Sequence, residues 1–223
     1  MQRCGHCLDF DLLESSLKKH FESRGRPKVL DRDYVLSVAL EQYWLHGPTQ
    51  VSINDICNLS GASKPGVYRE FGSDDGLKSQ ALMAYKRVAI DPFLGLLKNN
   101  HSLAKTSKAL VEFILQDRQL LKIPNGCLFV TMRLQRHCFG PITKACIDRV
   151  RSDFFSSFVN WIKLSKSKGE FRLDIPTKSA AHQIEALHMG VANMQKENAS
   201  SEDVRNLLLF GLSVISGEYQ ILR

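Results

Sequence analysis

Three serines, Ser52, Ser63 and Ser73, each stand directly ahead of a short stretch with helical character, and Gly61 and Gly72 divide those stretches. Serine is a preferred N-cap because its hydroxyl accepts a backbone N–H from the first turn. Asp55, three residues after Ser52, adds a weaker capping-box partner. Ile53, Ile56, Cys57 and Leu59 are the expected inward residues of the first stretch. Ser60-Gly61-Ala62 is the expected turn, since glycine takes the left-handed backbone that a tight helix–helix connection needs. Pro65 falls in the first turn of the next helix, where a missing N–H costs little. Asp74 and Asp75 then favour the positive end of a fourth helix.

A longer helix is expected before this group, from Asp31 to Leu45, with Leu36, Ala39, Leu40 and Tyr43 on one face and His46-Gly47-Pro48 as its stop. Beyond residue 90 the pattern stays helical, near 102–120, 127–139, 142–168, 177–195 and 202–220. Pro92, Pro124, Pro141 and Pro176 punctuate these segments, with Gly126, Gly140 and Gly169. No stretch alternates convincingly with strand period, so the expected fold class is all-α.

A helix, a three-residue turn and a short helix, preceded by another helix, form a unit that reads DNA. The short helix must start with small and polar groups that reach base edges, and its back must lock onto its neighbour. Ser63, Lys64, Pro65 and Gly66 meet the first demand; Val67 and Phe71 meet the second; Tyr68 is placed to reach a phosphate. Residues 31–77 resemble the DNA-binding domain of the tetracycline-repressor (TetR) family. Val51-Ser52-Ile53-Asn54-Asp55-Ile56 is similar to that family's second helix, and Gly61 to Phe71 to its turn and recognition helix. Gly72-Ser73-Asp74-Asp75-Gly76-Leu77 resembles the start of its fourth helix. The resemblance implies DNA contacts at Ser52, Ser63, Lys64, Gly66 and Tyr68. It also implies a symmetric homodimer, a palindromic double-stranded operator, and a C-terminal domain that senses a small-molecule effector. The family usually carries Lys where Asp74 stands and often His or Tyr where Glu70 stands; either another cation such as Lys78 substitutes, or affinity is lower.

Arg24-Gly25-Arg26-Pro27-Lys28 is a second feature of this kind. Gly25 and Pro27 keep the segment extended, and residues 24–32 hold a local charge of +3. Arg24, Arg26 and Lys28 suit a narrow A·T minor groove; a solvated basic linker is the alternative. The organisation expected is a flexible extension with a basic arm (1–30), a helix-turn-helix domain (31–78) and a helical regulatory and dimerisation domain (79–223). The net charge of +7 points to a polyanionic partner, but residues 1–88 carry only +1 of it, so the local arrangement has to locate a DNA site.

In the C-terminal part, Phe113, Phe129, Met132, Phe155, Phe158 and Trp161 either line an effector pocket or pack as ordinary helix core. Ala186, Met189, Gly190, Leu208, Gly211, Leu212 and Ile215 are the expected dimer surface, where small residues let helices approach. Cys127, Cys138 and Cys146 offer an oxidant or electrophile sensor as an alternative input. A helical interaction protein that has lost DNA binding is a further alternative. Cys4 and Cys7 lack the partners a zinc or dithiol site needs. No metal set, cofactor loop or nucleophile with a base is visible, so no cofactor and no enzymatic activity are expected. No membrane-spanning run exists, and Asp9, Asp11 and Glu14 interrupt any leader, so a cytoplasmic protein with reduced thiols is expected.

Overall fold

A computed structural model describes residues 30–216. Among them every regular element is a helix or helical turn. The chain divides into two compact units, one of residues up to Ile90 together with Leu128–Asp148, the other of Asp91–Cys127 together with the residues from Arg149 onward.

The first unit begins with α1 (Arg32–His46), α2 (Ile53–Ser60), α3 (Lys64–Phe71) and α4 (Asp74–Tyr85). Asp31 caps α1, its carboxylate accepting the N–H groups of Asp33 and Tyr34 at 3.1 and 3.0 Å. Leu36, Ala39, Leu40 and Tyr43 are buried as their spacing requires, together with Val35, Val38 and Trp44. Gly47, with φ of 88°, ends the helix. α1 packs on α2, α3 and α4, so the three short helices share one apolar wall. Trp44 meets Tyr85 edge to face at 4.8 Å. A π-helical turn, Lys86–Ile90, continues α4.

The same unit includes α7 (Leu128–Leu134), which packs on α4, and the start of α8 (Pro141–Ser167). Leu128, Phe129, Val130 and Met132 are buried there. The Asp75 carboxylate accepts the N–H groups of Ile142 and Thr143 at 2.9 and 3.2 Å, so a residue of α4 caps α8. The Thr143 hydroxyl donates to the Asp75 carbonyl at 2.8 Å. Burial alone would push the Asp75 carboxyl up. The hydrogen bonds from Thr143, Ile142 and Gly140 outweigh it and hold the group below the usual carboxylate range.

The second unit contains α5 (Asp91–Gly95), α6 (Leu103–Ile114), most of α8, α9 (Thr177–Lys196) and α10 (Ser201–Ser216). α10 packs on α9 and on α6. Glu170 reaches back to accept the Leu103 N–H at 2.7 Å, which fixes the start of α6. α6 ends at Ile114 rather than near residue 120. The Asp117 carboxylate accepts the N–H groups of Gln119 and Leu120 at 2.9 and 3.0 Å, and this local turn competes with the helix. The expected helix over 127–139 is likewise shorter: α7 stops at Leu134, and a 3-10 turn, Arg136–Cys138, follows.

Candidate nucleic-acid interface

Ser52 and Asp55 form a full capping box at the start of α2. The Asp55 N–H donates to the Ser52 hydroxyl at 3.2 Å, and the Ser52 N–H donates to the Asp55 carboxylate at 2.8 Å. The Ser52 side chain and then its backbone hold the Asp55 carboxyl below its ordinary value. Gly61 ends α2 with φ of 67°. A side chain there would meet no atom of the described residues within 4 Å, and the left-handed backbone demands the glycine. Ser63 caps α3, accepting the Gly66 N–H at 3.3 Å.

α3 is two-sided. Val67 is fully buried and Phe71 is 4% exposed, which anchors the helix. Lys64, Pro65, Tyr68 and Arg69 face outward, with Tyr68 39% exposed, and Ser52 and Ser63 are exposed beside them. The Lys64 ammonium lies 5.9 Å from the centre of the Tyr68 ring, so two of the expected contact residues stand together. Arg69 belongs to this face although sequence reasoning passed over it; its position one residue after Tyr68 was the available signal.

The remaining expected residues are placed differently. Gly66 is buried, so its backbone is not on the outward face. The Lys78 side chain is 15% exposed, and its ammonium pairs with the Asp74 carboxylate at 2.5 Å. The aspartate that replaces the family's lysine thus draws in the cation expected to substitute for it. Leu59, expected inward, is 54% exposed. Six residues past Ile53 it has turned about 240° around the helix. Arg24, Arg26 and Lys28, like Cys4 and Cys7, lie outside the described residues.

Residues 35–79 match the profile of the bacterial regulatory proteins of the tetR family. This is a TetR-family helix-turn-helix domain. The chain is 42% identical over 64 residues to the HTH-type transcriptional repressor ComR of Escherichia coli K12, covering 29% of this chain and 30% of that repressor. It is 26% identical over 110 residues to the HTH-type transcriptional repressor BdcR of the same organism, covering 49% of this chain and 54% of that one. The chain therefore spans less than two thirds of the length of these relatives. A cysteine mutant of the TetR family regulator CifR, in complex with 26-base-pair operator DNA, has the same fold. Its TM-score is 0.73 at 21% identity, over 86% of this chain and 100% of CifR. The all-helical TetR-like fold thus extends well beyond the TetR-family domain.

The six aromatic and methionine residues expected at an effector pocket do not form one group. Phe129 and Met132 are fully buried in the first unit. Phe113, Phe155, Phe158 and Trp161 belong to the second. There Phe93, which sequence reasoning did not single out, is the hub. Its ring centre lies 5.7 Å from Phe113, 6.0 Å from Phe154 and 6.2 Å from Phe158. Trp161 joins through Phe158 at 6.3 Å, and its buried indole N–H has no hydrogen-bond acceptor among the described residues. Phe155 instead meets His182 at 4.6 Å.

Of the expected dimer surface, Ala186 is exposed and Met189 and Gly190 are half-buried on α9. Leu208 and Leu212 are buried inside the chain, and a side chain on Gly211 would meet Leu187 at 2.8 Å. The outward face of α10 is instead Phe210, 57% exposed, and Val214, 48% exposed. Gly190 of α9 stands opposite Leu207 of α10, half-buried next to that face. The Ile215 side chain lies outside the described residues. Among the thiols, Cys57 and Cys146 are buried, Cys127 is half-buried and Cys138 is exposed. Burial pushes the Cys57 thiol up, and the Cys146 thiol lies 3.7 Å from the Ser79 carbonyl. No described helix is long and apolar enough to cross a membrane.

Proposed function

We propose that this chain is a sequence-specific transcriptional regulator, a repressor that binds operator DNA as a homodimer and is released by a small-molecule effector. The observation that carries this reading is the two-sided α3. Its apolar back is locked to the domain, and Lys64, Pro65, Tyr68 and Arg69 are exposed on its front, Arg69 beside the Glu70 carboxylate at 3.5 Å. ComR and BdcR are transcriptional repressors, and CifR is bound to operator DNA, which supports the same role here. Residues 31–78 read DNA, with Arg24, Arg26 and Lys28 as a minor-groove arm, and residues 79–223 sense and dimerise. The role is regulatory rather than catalytic, and it is exercised in the cytoplasm.

Two recognition helices related by a twofold axis enter successive major grooves about 34–36 Å apart, so the operator is an imperfect palindrome. The surface of Ala186, Met189 and Gly190 with Phe210 and Val214 forms the dimer contact. The effector is aromatic or apolar with one hydrogen-bond acceptor, matching the rings around Phe93 and the Trp161 N–H. It acts by binding one arrangement of the dimer better than the other, since equal affinity would shift nothing. Where an oxidant replaces the effector, Cys138 is the exposed thiol among the described residues.

Selection of bound duplexes from a random pool, with the purified chain at two salt concentrations, tests this reading. A palindromic consensus whose affinity falls steeply with salt is expected, because phosphate contacts release counterions. Absence of any enriched sequence at either salt concentration would overturn it.

A further inference from the structure

Gly76 and Gly140 stand where neighbouring atoms leave no room for a side chain. A carbon placed on Gly76, in the first turn of α4, would sit 2.0 Å from the Phe71 carbonyl oxygen at the end of α3. A carbon placed on Gly140, directly before α8, would sit 2.4 Å from the Asp75 carboxylate. Neither glycine has a positive φ, so close approach and not conformation requires them. Asp75 stands between the two contacts. Its carboxylate holds the N–H groups of Ile142 and Thr143, and the fully buried Thr143 hydroxyl donates to its carbonyl. One turn further along both helices, the Cys146 thiol lies 3.7 Å from the Ser79 carbonyl. All of these residues belong to the first unit. The end of the recognition helix, the first turn of α4 and the first turn of α8 are thus joined through two adjacent residues, Asp75 and Gly76.

We propose that Asp75 is a positioning residue for DNA reading. Seated on Gly140, it holds the first turn of α4 against α8, and through Gly76 that turn sets the angle at which α3 is presented. The inference rests on the DNA-binding reading above. The lever is short and stiff. α3 has eight residues, so it is about 12 Å long. A tilt of about 10° at Phe71 carries Lys64, at the other end, by about 2 Å. Hydrogen bonds to base edges fail over less than that. The attraction of an ammonium for a phosphate falls only gradually with distance. A loosened α3 therefore keeps much of its pull on the DNA backbone and loses its choice of sequence. Asp75 and Gly140 contribute to specificity although neither lies on the outward face of α3.

The test uses the full chain and two duplexes: the operator recovered by the selection, and the same operator with one base pair changed in each half-site. Affinities are measured by fluorescence anisotropy at one salt concentration, well below the thermal midpoint of every variant. The wild type is expected to prefer the operator by about tenfold, within the range that base-pair changes produce. Gly140→Ala displaces the Asp75 carboxylate and Asp75→Ala removes it. Each is expected to cut the preference to below about threefold while retaining wild-type helicity. The double variant should lose no more than either single one, since both changes break one contact. A preference that stays at the wild-type level in both single variants, whether or not affinity falls, would overturn the proposal and leave the contact as a stabilising cap alone. So would losses that add in the double variant. Should Asp75→Ala lack wild-type helicity, Gly140→Ala decides alone. If the wild type binds neither duplex, or both equally, it is the DNA-binding reading that fails, and this inference with it.

Discussion

On α3, Lys64, Pro65, Tyr68 and Arg69 face solvent over a back made of Val67 and Phe71. Around Phe93 in the second unit, Phe154, Phe158 and Trp161 are each at most 4% exposed. The first region is assembled by neighbours in sequence, with Ser63 and Gly61 a few residues from everything they position. The second is assembled by residues from α5, α6 and α8, which meet only once the chain has folded. A surface built locally can change its outer side chains without changing its shape. A cluster built from distant helices cannot, because each ring is a wall of the next.

That contrast gives a ranking of effects. Phe158→Ala should cost about 3–5 kcal/mol of stability, as truncation of a buried aromatic does. A thermal or urea midpoint close to wild type would show that the cluster is not the core of its unit. Asp75→Asn removes a charged acceptor for two backbone N–H groups and should cost about 1.5–3 kcal/mol near neutral pH. The sign with pH follows from the depressed carboxyl. Its contribution is complete above the unfolded-chain value and is lost as pH falls through the folded-state value. Wild type and variant should therefore converge in stability as the solution is acidified through and below about pH 4. A difference that stays constant down to the lowest pH would remove the charge from the account.

Lys64→Ala and Tyr68→Ala should each weaken operator binding by about tenfold, near 1.4 kcal/mol, with little change in midpoint. Unchanged affinity in both would break the assignment of the outward face. Ser63→Ala should be the smallest, about 1 kcal/mol from the lost cap, read as a small downward shift in midpoint. A larger effect on DNA affinity than on stability would mean that Ser63 itself touches DNA.

The same contrast explains what could be read in the sequence. The caps at Ser52, Ser63 and Ser73 and the left-handed Gly61 are local requirements, and each stands where the residue types place it. Helical periodicity says which residues are apolar but not which neighbour covers them. Leu208 and Leu212 are buried while Phe210 and Val214 are exposed, in a helix that packs on both α9 and α6. Phe129 and Met132 share the composition of a pocket wall yet belong to the unit of the helix-turn-helix. Phe93 was illegible for a similar reason: one ring between Pro92 and Leu94 has no periodic company. The ion pair of Asp74 with Lys78 was open to inference from their spacing of four, the geometry at which helical side chains meet.

That pair has a consequence for how such a chain would search a genome. An ammonium already answered by a carboxylate on its own helix offers little to a passing phosphate of any sequence. Lower affinity for random duplex would shorten each unproductive stop, while the outward residues of α3 proposed to meet base edges are untouched. Under the proposed DNA-binding reading, aspartate at position 74 would then favour discrimination over grip, with more time free in solution and less spent on the wrong DNA.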